Sequence, residues 1–179
     1  MTFCPRFSGG SGREAAEGGV LASFTIRQAK TGDEDTIYSL LYGLAEYEKL
    51  LWRFYVTREA VTRDYLCDNP LIRCELAFEG EAPVGGATWF WTYAGFAAAR
   101  GLYIEDLFVF PQFRGRGYGK ALLAHLAKFA AESGAIRVDW NVLDWNKPAI
   151  EFYESLGAKP QEGGVYYRLE GEALKKLGT

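Results

Sequence analysis

The stretch Gln112-Phe113-Arg114-Gly115-Arg116-Gly117-Tyr118-Gly119-Lys120 joins an apolar, β-branched run to a run with helical spacing. Glycines at a strand-to-helix corner let the backbone come close to an anion, and the first N–H groups of a helix point outward. The helix N-terminus carries about half a positive charge, which favours phosphate, and the arginines of the stretch add further charge. The stretch therefore predicts a phosphate-binding turn in an α/β protein.

Three phosphate-binding patterns can be compared with this turn. The dinucleotide fingerprint G-x-G-x-x-G fails because Lys120 stands where the third glycine is needed. Walker A fails because Ala121 follows Lys120 where Ser or Thr is needed. The pattern R-x-x-G-x-G fits, as Arg114, Gly117 and Gly119. A glycine-rich turn without a ligand is the alternative, but three glycines and two arginines within six residues favour binding.

Further strands and helices extend outward from the turn along the chain. The predicted strands, from alternation and turn residues, are Phe24–Arg27, Ile72–Phe78, Val84–Tyr93, Leu102–Phe110, Ile136–Val142 and Val165–Leu169. The predicted helices run from a capping box of Thr31 and Glu34 to about Tyr47, from Arg58 to Cys67 after a Thr57 cap, from Gly117 to Ser133, and from Pro148 to Leu156. The order β-α-α-β-β-β-α-β-α-β predicts one domain over residues 24–179, with mixed α/β layers around a single sheet.

The composition fits a globular domain and disfavours several classes of partner. A net charge of −3 and a pI of about 5.3 argue against nucleic acid, whose phosphate backbone needs a basic face. No apolar run reaches the ~20 residues of a membrane helix. Three cysteines (Cys4, Cys67 and Cys74) and the single His125 predict neither a metal site nor disulfides, but reduced thiols in a cytoplasmic protein. Residues 1–23 are rich in glycine and predict a flexible tail.

Three segments together resemble one known family. The R-x-x-G-x-G turn, Leu102-Tyr103-Ile104-Glu105-Asp106-Leu107-Phe108-Val109 before it and Trp145-Asn146-Lys147-Pro148-Ala149-Ile150-Glu151-Phe152-Tyr153 after it are similar to the GNAT N-acetyltransferase superfamily, in particular its diamine (spermidine/spermine) branch. The resemblance covers about residues 24–170. It implies the GNAT fold, acetyl-CoA as cosubstrate, a small cationic amine as acceptor and a homodimer.

The resemblance also implies a cofactor site. The turn would hold the pyrophosphate of coenzyme A through Arg114, Gly115, Arg116, Gly117, Tyr118, Gly119 and Lys120. The backbone of Leu107, Phe108 and Val109 would pair with the pantetheine arm like an added strand and polarise the acetyl carbonyl. Asn146 and Tyr153 would contact the cofactor, and Tyr153 would protonate the departing thiolate. Helical periodicity alone leaves a core position equally open for Tyr153.

Two adjacent acids, Glu105 and Asp106, interrupt an otherwise apolar predicted strand. An alkyl ammonium has a pKa near ~10.4, so an enzyme must remove a proton before the amine attacks a thioester. Adjacent strand residues point to opposite faces, so one carboxylate can face the acceptor while the other faces elsewhere. A buried acid or a strand-end charge is the alternative for each. By the resemblance, Glu105 accepts the proton through water, and Asp106 helps to hold the cationic acceptor.

The acceptor site of the diamine branch also contains a Tyr-Glu pair, which Tyr47 and Glu48 match. Phe96 falls where that branch has a Trp, so the site would keep a smaller aromatic ring. A solvated helix end is the alternative for Glu48. Three further aromatic residues alternate along a strand and are predicted to pack rather than to line the site: Trp89, Trp91 and Tyr93.

The sequence thus predicts an enzyme that transfers acetyl from acetyl-CoA to a primary amine of a polyamine, a diamine or a lysine-like amino acid. Cys67 and Cys74 lie outside the segments with catalytic candidates, which favours direct attack over an acetyl-cysteine intermediate. Two alternatives stay open: an acetyltransferase for a drug-like amine or a protein N-terminus, and a non-catalytic acyl-CoA sensor. The presence of both Glu105 and Tyr153 argues against the sensor.

Overall fold

The computed structural model describes residues 23–179, so the predicted tail over residues 1–23 lies outside the described residues except for its last residue. The chain divides after Trp140. The first unit (residues 23–140) and the second unit (residues 141–179) are each described by themselves.

The first unit contains all the strands that the structure describes, together with three α-helices. In chain order its elements are β1 (Phe24–Gln28), α1 (Glu34–Tyr47), α2 (Arg58–Tyr65), β2 (Arg73–Glu79), β3 (Ala82–Ala94), β4 (Ala99–Val109), α3 (Tyr118–Glu132) and β5 (Val138–Trp140). The second unit contains α4 (Lys147–Ser155) and α5 (Gly171–Leu177).

The five strands form one mixed sheet in the order β1-β2-β3-β4-β5. The strands β1 to β4 pair with one another in antiparallel fashion, while β5 runs parallel to β4. A parallel connection needs a crossover, and α3 supplies it between β4 and β5. The predicted mixed α/β architecture around a single sheet is confirmed.

Helices cover both faces of the sheet. Successive strand residues point to opposite sides, so apolar side chains are available for packing on each face. On one face, α1 and α2 pack over β2 and β4 through a buried cluster of Ile37, Leu40, Leu41, Val61, Cys74, Leu76 and Phe108. On the other face, Leu122 of α3 packs against Ala77 and Val84. Leu76 and Ala77 are neighbours in β2, so this one strand contributes to both layers.

A glycine in α1 brings this helix close to β4. A β-carbon placed on Gly43 would lie 2.8 Å from the ring of Phe108, closer than real contacts allow. Only glycine permits this approach, which sets the C-terminal end of α1 beside the end of β4. The packing therefore brings Tyr47 and Glu48 towards the strand that carries Glu105 and Asp106.

The helix caps confirm one prediction and correct another. Thr57 caps α2 as predicted, and its side chain accepts a hydrogen bond from the N–H of Ala60 at 3.2 Å. The N-cap of α1 is Asp33 and not the predicted Thr31. The carboxylate of Asp33 does not cap the helix but accepts from Arg27 of β1 at 2.7 and 2.9 Å, and this contact also lowers the pKa of Asp33.

The predicted strand Ile136–Val142 is shorter than expected. β5 spans Val138–Trp140 and pairs with Leu102, Tyr103 and Ile104 of β4. The ladder ends there because β4 bends at its next residue, Glu105, so the partner strand has no straight edge to follow.

The predicted last strand, Val165–Leu169, is wrong. In the second unit this segment is irregular, and Val165, Tyr166 and Tyr167 are 76%, 79% and 86% exposed. Alternation predicts a strand only if a neighbouring strand accepts its backbone hydrogen bonds, and no strand of the described chain pairs with this segment. The helix α5 that follows was not predicted.

Candidate active site

The glycine turn (residues 114–120) has the backbone geometry of an anion site. Gly115 and Gly117 have φ of 76° and 85°, the left-handed region that favours glycine. The N–H of Ala121 is the first to bond back to the helix start, at 3.0 Å from the carbonyl of Gly117. The N–H groups of α3 before it point out of the helix, and among the described residues no side chain caps this end. These features fit a pyrophosphate.

The outer side of the turn is also open. A β-carbon built on Gly115 or Gly117 would meet no described atom within 4 Å. Space on that side lets a phosphate group approach the backbone directly. A side chain in either position would fill this space and would also be strained by the positive φ.

Both arginines of the turn have partners within the protein. The Nε of Arg114 donates to the carbonyl of Val109 at 3.0 Å, and its guanidinium lies 4.6 Å from the ring centre of Tyr47. Arg116 lies on the other side and forms an ion pair with Glu79 at 3.1 Å. The predicted charge-assisted contacts from these arginines would therefore compete with contacts already made, whereas the N–H groups at the start of α3 point outward with no capping side chain among the described residues.

A β-bulge in β4 carries the first of the two predicted acids. Thr88 of β3 pairs with Asp106, and the next residue, Trp89, pairs with Ile104. Glu105 is therefore the extra residue of a bulge, where a strand bends and side chains are redirected. The simple alternation used to place Glu105 and Asp106 on opposite faces does not hold across this bulge.

The segment after the bulge pairs with β3 on one side, with Leu107, Phe108 and Val109 opposite Ala87, Gly86 and Gly85. On its other side, the β5 ladder stops at Ile104. Within the first unit, the edge of Leu107–Val109 away from β3 thus lies beyond the end of β5. This placement suits the predicted pairing with an extended ligand arm.

Three predicted acceptor residues share one electrostatic environment, here named the acidic cluster (Glu48, Glu105 and Asp106). Burial, opposed by a hydrogen bond from Thr88 and strengthened by the charge of Glu105, raises the pKa of Asp106 to about 6. Partial burial and then the charge of Asp106 raise the pKa of Glu48. Helix α1 and strand β4 therefore bring together carboxylates that are 57 and 58 positions apart in the sequence.

The acidic cluster has no internal countercharge. Within residues 23–179, no arginine, lysine or histidine forms an ion pair with Glu48, Glu105 or Asp106. Glu48 and Asp106 are partly removed from water, while Glu105 is exposed, and neighbouring like charges disfavour one another unless a cation lies between them. A cationic ligand would supply that charge.

Two further residues of this region were missed by sequence reasoning. The hydroxyl of Thr88 donates to Oδ2 of Asp106 at 2.5 Å. Tyr65, at the end of α2, is half-buried, and this burial together with the charge of Asp106 raises the pKa of its phenol. No sequence pattern marks either residue, because the bulge sets the register of Thr88 and the packing of α2 places Tyr65.

Phe96 is not part of the acidic cluster within one chain. It lies in the short 3₁₀ turn between β3 and β4, fully exposed, next to the last pair of the hairpin at Ala94 and Ala99. Asp106 lies seven positions after Ala99 in β4, a distance of roughly 20 Å along a strand. The predicted aromatic contact from Phe96 is therefore not formed beside Asp106.

The aromatic residues predicted to pack behave differently from one another. Trp89 is 1% exposed, and Trp89 and Trp91 lie 5.1 and 5.7 Å from the ring of Phe129 on α3. Tyr93 is 66% exposed and does not belong to this core, because it lies near the turn that closes the hairpin. His125 is half-buried, with Nε2 3.4 Å from the carboxylate of Glu75.

The second unit holds the other two predicted residues. Asn146 is the N-cap of α4, 8% exposed, and its carbonyl accepts from the N–H groups of Ala149 and Ile150, both at 3.1 Å. Pro148 lies in the first turn, where its missing N–H costs nothing. Tyr153 lies half-buried in the same helix, with its ring 5.3 Å from that of Phe152.

Two kinds of feature are absent from the described residues. None of the helices in residues 23–179 is long and apolar enough to cross a membrane. The same residues contain no group of three or more His, Cys, Asp or Glu side chains that could hold a metal ion.

Comparison with known proteins identifies similar chains. The family model described as "Acetyltransferase (GNAT) family" matches residues 41–158. The chain is 35% identical over 168 residues to thialysine N-epsilon-acetyltransferase of Sus scrofa, covering 88% of this chain and 98% of that one. It is 32% identical over 161 residues to spermidine/spermine N(1)-acetyltransferase-like protein 1 of Homo sapiens, covering 84% of this chain and 23% of that one.

A solved structure has the same architecture. An integron cassette protein from the mobile metagenome of V. cholerae superposes with a TM-score of 0.74 at 27% identity. The match covers 87% of this chain and 98% of that protein. The fold of the described chain is therefore that of a known group of structures.

Proposed function

The chain belongs to the GNAT acetyltransferase family as an amine N-acetyltransferase, and from this premise we propose that it moves an acetyl group from acetyl-CoA to the side-chain amine of a lysine-like amino acid. Membership of the family confirms the resemblance drawn from the three sequence segments. The acidic cluster is the observation that carries the proposed acceptor class. Carboxylates without an internal countercharge suit an acceptor that brings a positive charge.

Support for a lysine-like acceptor comes from the similarity to an enzyme named for thialysine, which covers nearly the whole of that enzyme. A lysine-like amino acid carries an ammonium group on a flexible chain, and this group has a pKa near ~10.4. It therefore arrives charged, and Glu48 and Asp106 are proposed to bind it in that form.

Acetyl-CoA supplies an activated thioester whose carbonyl carbon is open to attack by an amine. The glycine turn is proposed to bind the pyrophosphate through residues 114–120, and Leu107, Phe108 and Val109 to align the pantetheine arm. Backbone N–H groups of this strand would stabilise negative charge on the carbonyl oxygen.

Proton transfers complete the reaction. Glu105 is proposed to take a proton from the ammonium through water, because only the neutral amine attacks. The new C–N bond forms as the C–S bond breaks, and Tyr153 is proposed to give its proton to the departing sulfur. Asn146 is proposed as a further cofactor contact. The roles of Tyr153 and Asn146 are supported by the family motif alone.

A homodimer and a cytoplasmic location stay predictions from the resemblance and from the cysteine content. Phe96 is proposed as an acceptor residue on the resemblance alone. Its position within one chain gives no support, because it lies in the turn of the hairpin, far from Asp106.

The proposal is tested by following the release of free thiol from acetyl-CoA with a panel of acceptors: thialysine, L-lysine, L-ornithine, spermidine and an aminoglycoside. We expect the highest kcat/KM with thialysine or L-lysine. A higher kcat/KM with spermidine would show that the preferred acceptor is a polyamine. Tight binding of acetyl-CoA with no turnover on any amine would overturn the enzyme assignment in favour of an acyl-CoA sensor.

Two variants test the proposed proton transfers. Tyr153→Phe should lower kcat by ~10² while leaving the affinity for acetyl-CoA within a few-fold, because only the proton donor is lost. Unchanged turnover would remove Tyr153 from the mechanism. Glu105→Gln should change the pH–rate profile, and an identical profile would show that another group or bulk water takes the proton.

A further inference from the structure

We propose that Thr88 is a positioning residue of the acceptor site, whose buried hydroxyl keeps the side chain of Asp106 ionised and oriented for the ammonium group of the acceptor. The proposal rests on the proposed amine acetyltransferase activity, because it concerns the residue that meets the amine. It adds to that activity a residue that does not touch either substrate.

The geometry of the pair is set by the bulge. Thr88 and Asp106 lie directly opposite each other in the β3–β4 ladder, at the pair next to the bulged residue. Thr88 is 0% exposed, and its Oγ1 donates to Oδ2 of Asp106 at 2.5 Å. A β-branched side chain that is fully buried has few rotamers and cannot move without repacking. Thr88 therefore fixes Oδ2 of Asp106, and Oδ1 is the oxygen proposed to meet the acceptor.

A second threonine in the same strand gives an internal comparison. Thr92 lies four residues further along β3, and its buried Oγ1 has no hydrogen-bond partner in the part of the chain that the structure describes. A buried hydroxyl without a partner costs free energy. The hydroxyl of Thr88 avoids this cost by its hydrogen bond to Asp106. Variants of the two threonines therefore distinguish the loss of a hydroxyl beside the acid from the loss of a hydroxyl elsewhere in β3.

The titratable groups that face Asp106 do not stabilise its charge. Glu105 lies beside it on β4, Glu48 faces it from α1, and both add negative charge. Tyr65 faces it from α2 and Cys74 from β2, and burial raises the pKa of both side chains. Both are therefore neutral at pH 7 and offer no positive charge.

Among the described residues around Asp106, Thr88 acts in the other direction. Burial and the charge of Glu105 raise the pKa of Asp106, while the hydrogen bond from Thr88 lowers it, with a net value of about 6. Without the hydroxyl, the carboxyl of Asp106 would hold its proton to a higher pH. A protonated Asp106 cannot bind an ammonium group as an ion pair, so the hydroxyl extends acceptor binding towards lower pH.

The experiment measures Asp106 directly and then measures the acceptor. Carboxyl-carbon NMR of protein labelled at aspartate gives the pKa of Asp106, with its signal identified by its loss in Asp106→Asn. Calorimetric titration with thialysine in the presence of coenzyme A gives the acceptor Kd from pH 5 to pH 8 without turnover. Both measurements are made on the full chain as wild type, Thr88→Val, Thr88→Ser and Thr92→Val.

In Thr88→Val, which keeps the shape but removes the hydroxyl, we expect the pKa of Asp106 to rise by roughly one unit. The thialysine Kd should then rise about five-fold at pH 6 and less than two-fold at pH 8, following the ionised fraction. Thr88→Ser restores the donor and should return both values to within experimental error of wild type. Thr92→Val should leave both unchanged.

An Asp106 pKa that stays the same in Thr88→Val would overturn the proposal. If the valine variant does not fold, Thr88→Ala removes the same hydroxyl without crowding the bulge. The pKa of Asp106 must then rise in this variant as well. A shifted pKa with no change in thialysine Kd would uphold the contact but remove Asp106 from the acceptor site. Absence of thialysine binding in the wild type would instead count against the proposed acceptor, so the two failures are distinct.

Discussion

The glycine turn and the acidic cluster lie near the same end of β4, but they are built in different ways. The turn offers backbone N–H groups on an open surface, with no atom within 4 Å of a β-carbon at Gly115 or Gly117. The acidic cluster offers side-chain oxygens that are partly removed from water and whose pKa values rise for that reason at Glu48 and Asp106. One region is suited to an anion and the other to a cation.

The difference lies in what each region depends on. The turn depends on the local φ angles of consecutive residues, so a single backbone change should disable it. The acidic cluster depends on α1, α2, β3 and β4 packing together, so a single side-chain change should weaken it by a smaller amount. If this contrast is correct, variants of the two regions affect different substrates and do so to different extents.

The largest effect is expected from Gly117→Val. A β-branched residue is strained at the φ of 85° found here, and its side chain would fill the space through which a phosphate approaches the backbone. We expect the Kd for acetyl-CoA to rise on the order of 10²-fold. Equilibrium titration with acetyl-CoA measures it, and normal affinity would refute the assignment of the turn.

Gly134→Val is the matched control for this variant. Gly134 follows the other end of α3 with a φ of 75°, so valine is strained there to a similar degree. Both variants should lose roughly 1–2 kcal/mol of stability. Only Gly117→Val should lose affinity for acetyl-CoA, and a loss in both would show that the effect acts through folding.

Asp106→Asn should have the next largest effect, on the other substrate. An amide keeps the shape and can still accept from Thr88, but it lacks the charge that attracts an ammonium group. We expect the thialysine KM to rise roughly 10- to 30-fold, as for a lost hydrogen bond between charged groups. The Kd for acetyl-CoA should stay within a few-fold. Glu132→Gln, at the exposed end of α3, is a control that should change neither.

A smaller effect should follow from pH alone. Since Asp106 has a pKa of about 6, its carboxyl is ionised above that value and gains a proton below it. Thialysine affinity should therefore fall about two-fold at pH 6 and about ten-fold at pH 5 relative to pH 8. Calorimetric titration with coenzyme A present gives this dependence. A flat profile down to pH 5 would show that Asp106 does not hold the amine.

The smallest effect is expected from Glu79→Gln, which releases Arg116 from its ion pair near the turn. An exposed pair contributes up to about 1 kcal/mol, so acetyl-CoA affinity should improve about two- to five-fold at low salt. The gain should disappear at high salt, because exposed charges are screened. Weaker binding in this variant would mean that Glu79 supports the turn rather than competing with its ligand.

The two regions also differ in how far the sequence predicted them. The turn is local, so the spacing of Arg114, Gly117 and Gly119 was enough to predict its position between β4 and α3. The partners of its arginines within the protein were not predicted, because Tyr47 and Glu79, which contact them, are distant in sequence. Local backbone geometry can be read from a motif, but side-chain partners depend on the packed fold.

The acidic cluster was predicted as separate residues and not as an arrangement. The resemblance indicated Glu48, Glu105 and Asp106, but alternation alone does not fix how the two adjacent acids are directed, because it does not foresee a bulge. Thr88 was missed for the same reason. A bulge shifts the register by one residue, and only the paired strands show where that shift occurs.

Outside the site, the strand prediction failed where an alternating segment had no neighbouring strand to pair with. The strand Val165–Leu169 has the alternation of a strand but no neighbouring strand among those described. By contrast, β2 and β3 were predicted within two residues because each is held on both sides by other strands. Periodicity therefore predicts strands reliably only where the sheet supplies an edge.

The most direct test of the account is one product analysis with the wild-type chain, acetyl-CoA and thialysine. The account predicts that N-acetylated thialysine and free coenzyme A form in a one-to-one ratio, with the acetyl group on the side-chain nitrogen. Thiol release without an acetylated amine, or an acetyl group recovered on the protein instead of the amine, would contradict it.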